Sequence, residues 1–235
     1  MHVRKSHTLT SEFFEERRKV IMLKKRGAGV LLHISSMPSD YGVGVFDENV
    51  IHFIDKIADM GFTYWQVLPF NPIDRANSPY CSPSAFAGNY IFINPKGLYD
   101  MGLICEEDYK SNIYDGTPYM ADYEFACKKR LELLKKAFLN INDELARQIK
   151  EFEISNSWLT DYSVFMAVKE EENMKPWWEW SDEHAHYFEC IKDIYSYEKS
   201  AAFWKFVQAF FCLQIHSLPC TACRRKCLIC NLPRK

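Results

Sequence analysis

Two short apolar runs flank an amphipathic segment near the start of the chain. The runs are GVLLHIS, from Gly29, and YWQVLPF, from Tyr64, and the first would be buried on both faces if it lies in a parallel sheet. Between them, apolar side chains recur at helical spacing, at Val50, Phe53, Ile54, Ile57 and Ala58. Asp47 or Glu48 precedes this helix, and Gly61 is a natural residue to end it. Strand, helix and strand within about 40 residues predict a βαβ unit and therefore an α/β fold.

A long helical stretch follows the second strand. Residues 106–190 contain three segments with helical patterns, YEFACKKRLELLKKAF, ELARQIKEFE and WLTDYSVFMAVKEEEN, and we interpret them as a helical subdomain inserted into the α/β fold. A further helix is predicted for KSAAFWKFVQAFFCLQ, within residues 191–214. Residues 25–105 would then hold the first βα units, residues 1–24 a charged extension, and residues 215–235 a Cys-rich tail.

Residues 78–95, SPYCSPSAFAGNYIFINP, contain no Asp, Glu, Lys or Arg, although 26% of the chain is charged. The segment follows the second strand, so we expect it at the carboxyl edge of the sheet, where α/β proteins bind ligands. Tyr80 and Phe86 could present rings to a ligand. Hydroxyl and amide groups come from Ser78, Ser82, Ser84 and Asn89. This set suits a neutral polyol, but a buried structural loop would have the same composition.

Composition excludes several classes of protein. The formal net charge is -2 and the charges are interspersed, which argues against a nucleic-acid partner. No apolar run reaches the roughly 18 residues of a membrane span, and the charged N-terminus lacks the apolar core of a signal peptide. We therefore expect no membrane partner and a cytoplasmic location. The scattered cysteines favour reduced thiols over a disulfide framework.

Few side chains stand out as catalytic from spacing alone. Nucleotide-binding, zinc-protease and serine-hydrolase motifs are absent from the sequence. The spacing marks no acid–base pair among the acids considered, which are Asp40, Asp47, Asp74, Asp161 and Glu179. The position of His33 inside an apolar run favours a hydrogen-bonded structural role over the role of a ligand or a base. Trp177, Trp178 and Trp180 could form a sugar-stacking platform, although packing of the helical subdomain is the favoured interpretation.

The Cys-rich tail offers one weak metal candidate. Cys220, Cys223, Cys227 and Cys230 have C-x2-C-x3-C-x2-C spacing, and four thiolates suit tetrahedral zinc. Structural zinc sites separate their two pairs by roughly a dozen residues or more, so the short spacing here disfavours metal binding. The order of cysteines does not match iron–sulfur motifs either.

Four segments together resemble the N-terminal blocks of the amylomaltases, the 4-α-glucanotransferases of α-1,4-glucan metabolism. They are RGAGVLLHISSMPSDYGVG, GFTYWQVLPFNP, NSPYCSPSAFAGNYIFINP and SWLTDYSVFMAVKEEENMKPWWEW. The resemblance runs in order from about Lys25 to about Gln214. It implies a (β/α)8 TIM barrel with helical insertions, of which this chain would hold an incomplete part, the first strands. It also implies a maltodextrin (α-1,4-glucan) substrate and no cofactor.

Within these blocks, Ser78 and Tyr80 of SPY match positions that line the glucan cleft beside the scissile bond in the family. The other motif positions, for which we expect structural roles, are Trp65, Gln66, Gly88 and Asn89. The family transfers glucan segments with retention: an Asp attacks the anomeric carbon, a Glu acts as acid and then base, and a second Asp steadies the strained sugar. Retention requires two of these carboxyls about 5 Å apart.

The resemblance also shows what the sequence lacks. The family carries its three carboxylates in blocks reading GD-x-P, R-x-DH and ED-x-G, and none of these blocks occurs here. We therefore expect no catalytic residue and no transferase activity in this chain alone. A separately encoded C-terminal half would be a partner able to supply them. A non-catalytic α-glucan-binding fragment is an alternative, and a zinc-binding module built on the tail is a less favoured one.

Both ends of the chain depart from the family pattern. The family pattern has an apolar strand after residue 214. Here the sequence reads IHSLPCTACRRKCLICNLPRK instead, which indicates a frameshift or premature stop. The zinc-like spacing would then be an artefact. The residues before Met22 are either an over-called start or a real, exposed helix.

Overall fold

The structure is a computed structural model that describes residues 27–186, 197–217 and 228–230. The helices in these ranges include none that is long and apolar enough to cross a membrane. The N-terminal extension, residues 1–24, lies outside the described residues.

A parallel three-stranded sheet confirms the α/β class. Its strands are β1 (Gly29–Leu31), β2 (Tyr64–Gln66) and β3 (Leu228–Cys230), in the order β1-β2-β3. Trp65 stands at the centre of β2, is buried, and donates from its indole Nε1 to the carbonyl of Leu32 at 2.8 Å. This hydrogen bond and burial confirm the structural role expected for Trp65.

The first predicted strand is shorter and more exposed than expected. Only Gly29–Leu31 of GVLLHIS is strand, and the chain then turns into a 3-10 turn at Ile34–Ser36. The side chain of Leu31 is 58% exposed, so the prediction that the run is buried on both faces is wrong for β1. The physical reason is that a strand is buried on both faces only where other elements pack on each face, and the described residues leave the face that carries Gly29 and Leu31 uncovered.

The predicted crossover helix is confirmed at both ends. Helix α1 (Glu48–Asp59) begins after Asp47, whose carboxylate accepts from the backbone N–H of Asn49 at 2.9 Å. Gly61 follows the helix with a φ of 87°, a left-handed conformation that glycine adopts at little cost. The buried side chains of the helix are Val50, Ile54 and Ile57, and all three belong to the apolar core.

Helices make up most of the remaining described chain. Their bounds are α2 (Pro95–Asp100), α3 (Glu106–Lys110), α4 (Tyr123–Phe138), α5 (Asp143–Ser155), α6 (Trp158–Glu171), α7 (Asp182–Ala185) and α8 (Glu198–Ser217), with 3-10 turns at Tyr90–Phe92 and Trp177–Glu179. The four long helices predicted from the sequence are confirmed as α4, α5, α6 and α8.

One continuous apolar core joins the sheet to the helices in the described part of the chain. Phe211 of α8 packs edge-to-face on Phe46, which precedes α1, with ring centroids 5.8 Å apart. On the same helix, Phe206 packs against Phe138 of α4 at 5.7 Å. Helix α8 therefore connects the βα units to the helical segment, and the domain boundaries expected from the sequence stay a prediction.

Candidate functional site

The uncharged loop divides into two halves with different surroundings. Residues 87–93 are all buried, whereas Tyr80 in the first half is 73% exposed and Phe86 is 47% exposed. Charge is absent from the second half because charged groups are costly to bury. That explanation does not apply to the first half, which faces solvent without a single charged side chain.

Two glutamines of α8 hold the buried half of the loop. Gln208 accepts from the backbone N–H of Gly88 at 2.8 Å and donates to its carbonyl at 3.0 Å. Gln214 makes the same pair of bonds with the backbone of Asn94, at the same two distances. A Cβ at Gly88 would lie 2.1 Å from the ring of Phe211, so only glycine fits there. Gly88 therefore has the structural role that the sequence predicted.

Asn89 also has the expected structural role, whereas the structure leaves the role of Gln66 open. The side chain of Asn89 is 1% exposed and accepts from the backbone N–H of Ile91 at 3.2 Å, which starts the 3-10 turn. The backbone of Gln66 pairs with both neighbouring strands, but its side chain is exposed. The structural role of that side chain stays a prediction.

The exposed half begins with a closed turn that presents Ser78 and Tyr80. The backbone N–H of Asp74 donates to the carbonyl of Cys81 at 3.2 Å, and that of Cys81 donates to the carbonyl of Ser78 at 3.1 Å. Asn77 has a φ of 51°, which reverses the chain just before Ser78. Ser78 Oγ accepts from the backbone N–H of Tyr80 at 3.3 Å, so its hydroxyl hydrogen is not used in that bond.

Two contacts fix this half of the loop along α6. Phe86 stacks on Trp158, the first residue of α6, with ring centroids 6.1 Å apart. Asp74 lies 3.9 Å from the ammonium of Lys169, near the end of the same helix. Eleven residues separate these helix positions, which corresponds to about 16 Å along the axis. The loop therefore lies lengthwise on α6, with Tyr80 between the two anchors in sequence.

A further ion pair extends the contact beyond α6. Arg75 donates to both carboxylate oxygens of Glu179, at 3.2 and 3.1 Å. Glu179 ends the 3-10 turn that also contains Trp177 and Trp178. Lys169 itself is buried, and this desolvation lowers the pKa of its ammonium, with Asp74 opposing the shift. Sequence reasoning missed these ion pairs because nothing in the spacing of Asp74 or Arg75 indicates a partner about a hundred residues away.

The three tryptophans do not share one environment. Trp180 is buried, packs on Phe165 with ring centroids 5.3 Å apart, and donates from Nε1 to the carbonyl of Lys175 at 2.9 Å. The packing interpretation is therefore confirmed for Trp180. It is wrong for Trp177 and Trp178, which are 58% and 64% exposed because their turn directs them away from the core.

His33 is a packing residue beside the loop. Its ring is stacked on Phe70 at 5.7 Å and lies edge-on to Phe92 at 5.4 Å. Desolvation lowers the pKa of the imidazole from 6.5 to about 4. The buried Nδ1 has no hydrogen-bond partner among the described residues, so the expectation that His33 is hydrogen-bonded is not met at Nδ1.

Three of the acidic side chains considered from the sequence have local structural roles. Asp47 caps α1, Asp74 faces Lys169, and Glu179 binds Arg75. No three His, Cys, Asp or Glu side chains within the described ranges are placed to hold a metal ion. Cys220, Cys223 and Cys227 lie outside those ranges, and Cys230 is described only as the last residue of β3, so the tail's metal-binding candidate is not decided.

Comparison with known proteins identifies the family. A family model described as 4-alpha-glucanotransferase matches residues 32–233. This chain belongs to that family. The matched range includes most of the Cys-rich tail, and the expectation that the tail is read in another frame stays a prediction.

Relatives extend the same assignment. The chain is similar to the 4-alpha-glucanotransferase of Aquifex aeolicus, 43% identical over 162 residues, which are 67% of this chain and 32% of that protein. It is also similar to the Clostridium butyricum 4-alpha-glucanotransferase, 33% identical over 196 residues, which are 80% of this chain and 39% of that protein. The chain therefore spans about a third to two fifths of the length of these relatives.

Solved amylomaltases share the fold. The amylomaltase of Streptococcus agalactiae, solved in complex with acarbose, matches with a TM-score of 0.78 and 30% identity over 87% of this chain and 42% of that one. The Corynebacterium glutamicum amylomaltase matches with a TM-score of 0.56 and 15% identity, over 80% of this chain and 27% of that one, which shows a likeness of fold alone.

Proposed function

We propose that this chain forms one wall of the glucan cleft of a 4-α-glucanotransferase, with Ser78 and Tyr80 contacting a maltodextrin. The observation that carries the proposal is the charge-free turn of residues 78–80, which follows β2 in the chain and leaves Ser78 half-buried and Tyr80 73% exposed. Acarbose bound to the Streptococcus agalactiae relative supports a carbohydrate ligand.

The chemistry of the turn suits a neutral sugar. The ring of Tyr80 offers an apolar face for sugar C–H groups and a hydroxyl for hydrogen bonding. Ser78 supplies a second hydroxyl, and its orientation is fixed by the bond from the backbone of Tyr80. Because the loop is anchored on α6 and α8, these groups are held in place before a ligand arrives, which reduces the entropic cost of binding.

The finer architecture is part of the same proposal. β1 and β2 would be the first strands of an incomplete (β/α)8 barrel, with residues 106–190 as the inserted helical subdomain. The reaction would be a retaining transfer of α-1,4-glucan segments. The sequence contains none of the three family blocks that carry the carboxylates, and we propose that a C-terminal half with these blocks supplies them.

A second candidate function follows from the same observations. The described chain presents the glucan-contacting turn but no family carboxylate block, which favours a non-catalytic α-glucan-binding part if no partner exists. The two functions differ in turnover and share the binding site.

Isothermal calorimetry with maltotriose tests the proposal. We expect the wild type to bind maltotriose, Tyr80→Ala to weaken binding by about tenfold, and Tyr80→Phe to lose less, because Phe keeps the ring face. Leu139→Ala, which removes an 82% exposed apolar side chain at the end of α4, is the matched control and should bind as the wild type does. Equal affinity in wild type and Tyr80→Ala would contradict the proposal.

A further inference from the structure

Trp177 and Trp178 form an exposed aromatic pair beside the proposed glucan site. Their ring centroids are 5.9 Å apart and their planes lie at 83°, so the two rings form an open corner. Each side chain is more than half exposed. Large aromatic side chains left in water lose the stabilisation that burial would give, so an exposed pair requires another explanation.

The pair is held in a defined position. Trp180, three residues after Trp177, is buried against Phe165 and bonded to the carbonyl of Lys175, which anchors the 3-10 turn from one side. Glu179 anchors it from the other side through two hydrogen bonds from Arg75. The exposure of the two rings is therefore a property of a fixed turn and does not require a loosely held segment.

The same ion pair connects the tryptophans to the glucan-contacting turn. Arg75 lies three residues before Ser78, and its partner Glu179 is the direct chain neighbour of Trp178. Phe86 marks the other end of the exposed loop, at the start of α6. Exposed aromatic side chains thus occur from the start of α6 to the turn beyond its end, at Phe86, Tyr80, Trp177 and Trp178.

We infer that Trp177 and Trp178 form an additional contact for α-1,4-glucan chains that are longer than the Ser78–Tyr80 turn can accommodate. The occupant is a neutral oligosaccharide, because both rings are uncharged and sugar C–H faces pack well on indole. The inference rests on the proposed function, since it places this contact on a continuation of the same ligand. It predicts that the pair affects affinity for long glucans and leaves affinity for short ones unchanged.

Titration with two sugars of different length tests the inference. Maltotriose and maltoheptaose are titrated into the wild type, Trp177→Ala/Trp178→Ala, Trp177→Phe/Trp178→Phe and Leu139→Ala, and affinity is measured by calorimetry and by tryptophan fluorescence. We expect the double Ala variant to bind maltoheptaose about tenfold more weakly and maltotriose as the wild type does, because two stacking contacts are lost. The double Phe variant should keep most of the affinity, and Leu139→Ala all of it.

Other outcomes separate this inference from the proposed function. Unchanged maltoheptaose affinity in the double Ala variant, with weaker binding in Tyr80→Ala, would overturn the aromatic contact and leave the proposed function standing. A wild type that binds neither sugar would overturn both. Equal loss of maltotriose and maltoheptaose affinity in the double Ala variant would also overturn the length-dependent contact. A thermal melt of each variant confirms folding, which should be retained because both rings are exposed.

Discussion

Gln208 and Gly88, 120 residues apart in the chain, exchange two hydrogen bonds in the core. The glutamine is 1% exposed, and its amide satisfies both the N–H and the carbonyl of a loop residue that belongs to no helix or strand. Buried backbone groups require such partners. The pair therefore allows an irregular segment to lie inside the protein and fixes the base of the exposed turn.

Replacing this glutamine should destabilise the fold. We expect Gln208→Leu to lower the free energy of unfolding by about 2–4 kcal/mol, because two backbone groups of Gly88 would be left buried without partners. Urea unfolding measures the change. Gln148→Leu, which removes a side-chain bond to Glu144 on the surface of α5, is the control and should change stability by no more than about 0.5 kcal/mol. Similar losses in the two variants would contradict this account of the loop.

The burial of His33 predicts a pH-dependent stability. The imidazole pKa falls from 6.5 to about 4 in the folded chain, so the unfolded chain binds more protons between these values. Stability should therefore fall as the pH falls from about 6.5 to 4, by up to about 3 kcal/mol from this group. Unfolding measured across this pH range should show a shallower decline for His33→Phe than for the wild type.

The exposed Leu139 at the end of α4 provides the control for that measurement. Leu139→Ala removes no ionisable group and should keep the wild-type dependence of stability on pH between 6.5 and 4. An unchanged pH dependence in His33→Phe would show that His33 does not contribute to the loss of stability at low pH.

The edge of β1 predicts self-association. In the described ranges, β1 pairs only with β2, and Leu31 on it is 58% exposed. Unpaired strand edges with apolar side chains template pairing with other chains. We expect concentration-dependent association in analytical ultracentrifugation that Leu31→Lys reduces. A wild type that stays monomeric at every concentration measured would contradict the prediction.

The absence of the family's carboxylate blocks predicts that this chain alone does not turn over glucan. We expect no glucose release above a protein-free blank when the purified chain is incubated with maltotriose, because retention requires a nucleophile and an acid–base residue. Release that increases with protein concentration would show that the chain supplies catalytic residues of its own.

Local signals in the sequence were sufficient for the five long helices but not for the short helices or the strands. Helix α1 was predicted with its Asp47 cap and its Gly61 stop because both signals lie next to the helix in the chain. The extent and exposure of β1 depend on which elements pack against it, which no local pattern records. Leu228–Cys230 forms β3, which was not predicted because the segment around it is rich in cysteine and arginine.

The sequence predicted that the candidate loop follows the second strand. The assignment of Ser78 and Tyr80 as glucan contacts, which rests on the SPY motif, stays a prediction. The division of residues 78–95 into exposed and buried halves could not be predicted, because the partners of the buried half are on α8. The contacts with α6 could not be predicted from sequence spacing either, because they join residues that only the fold brings together.

Hydrogen–deuterium exchange with and without maltotriose locates the bound sugar on the chain. We expect slower exchange in peptides that cover residues 77–86, with little change in α5, and no effect of cellotriose, a β-linked trisaccharide that lacks the α-1,4 geometry. Protection elsewhere with residues 77–86 unaffected, or equal protection by cellotriose, would contradict the claim that the Ser78–Tyr80 turn contacts α-1,4-glucan.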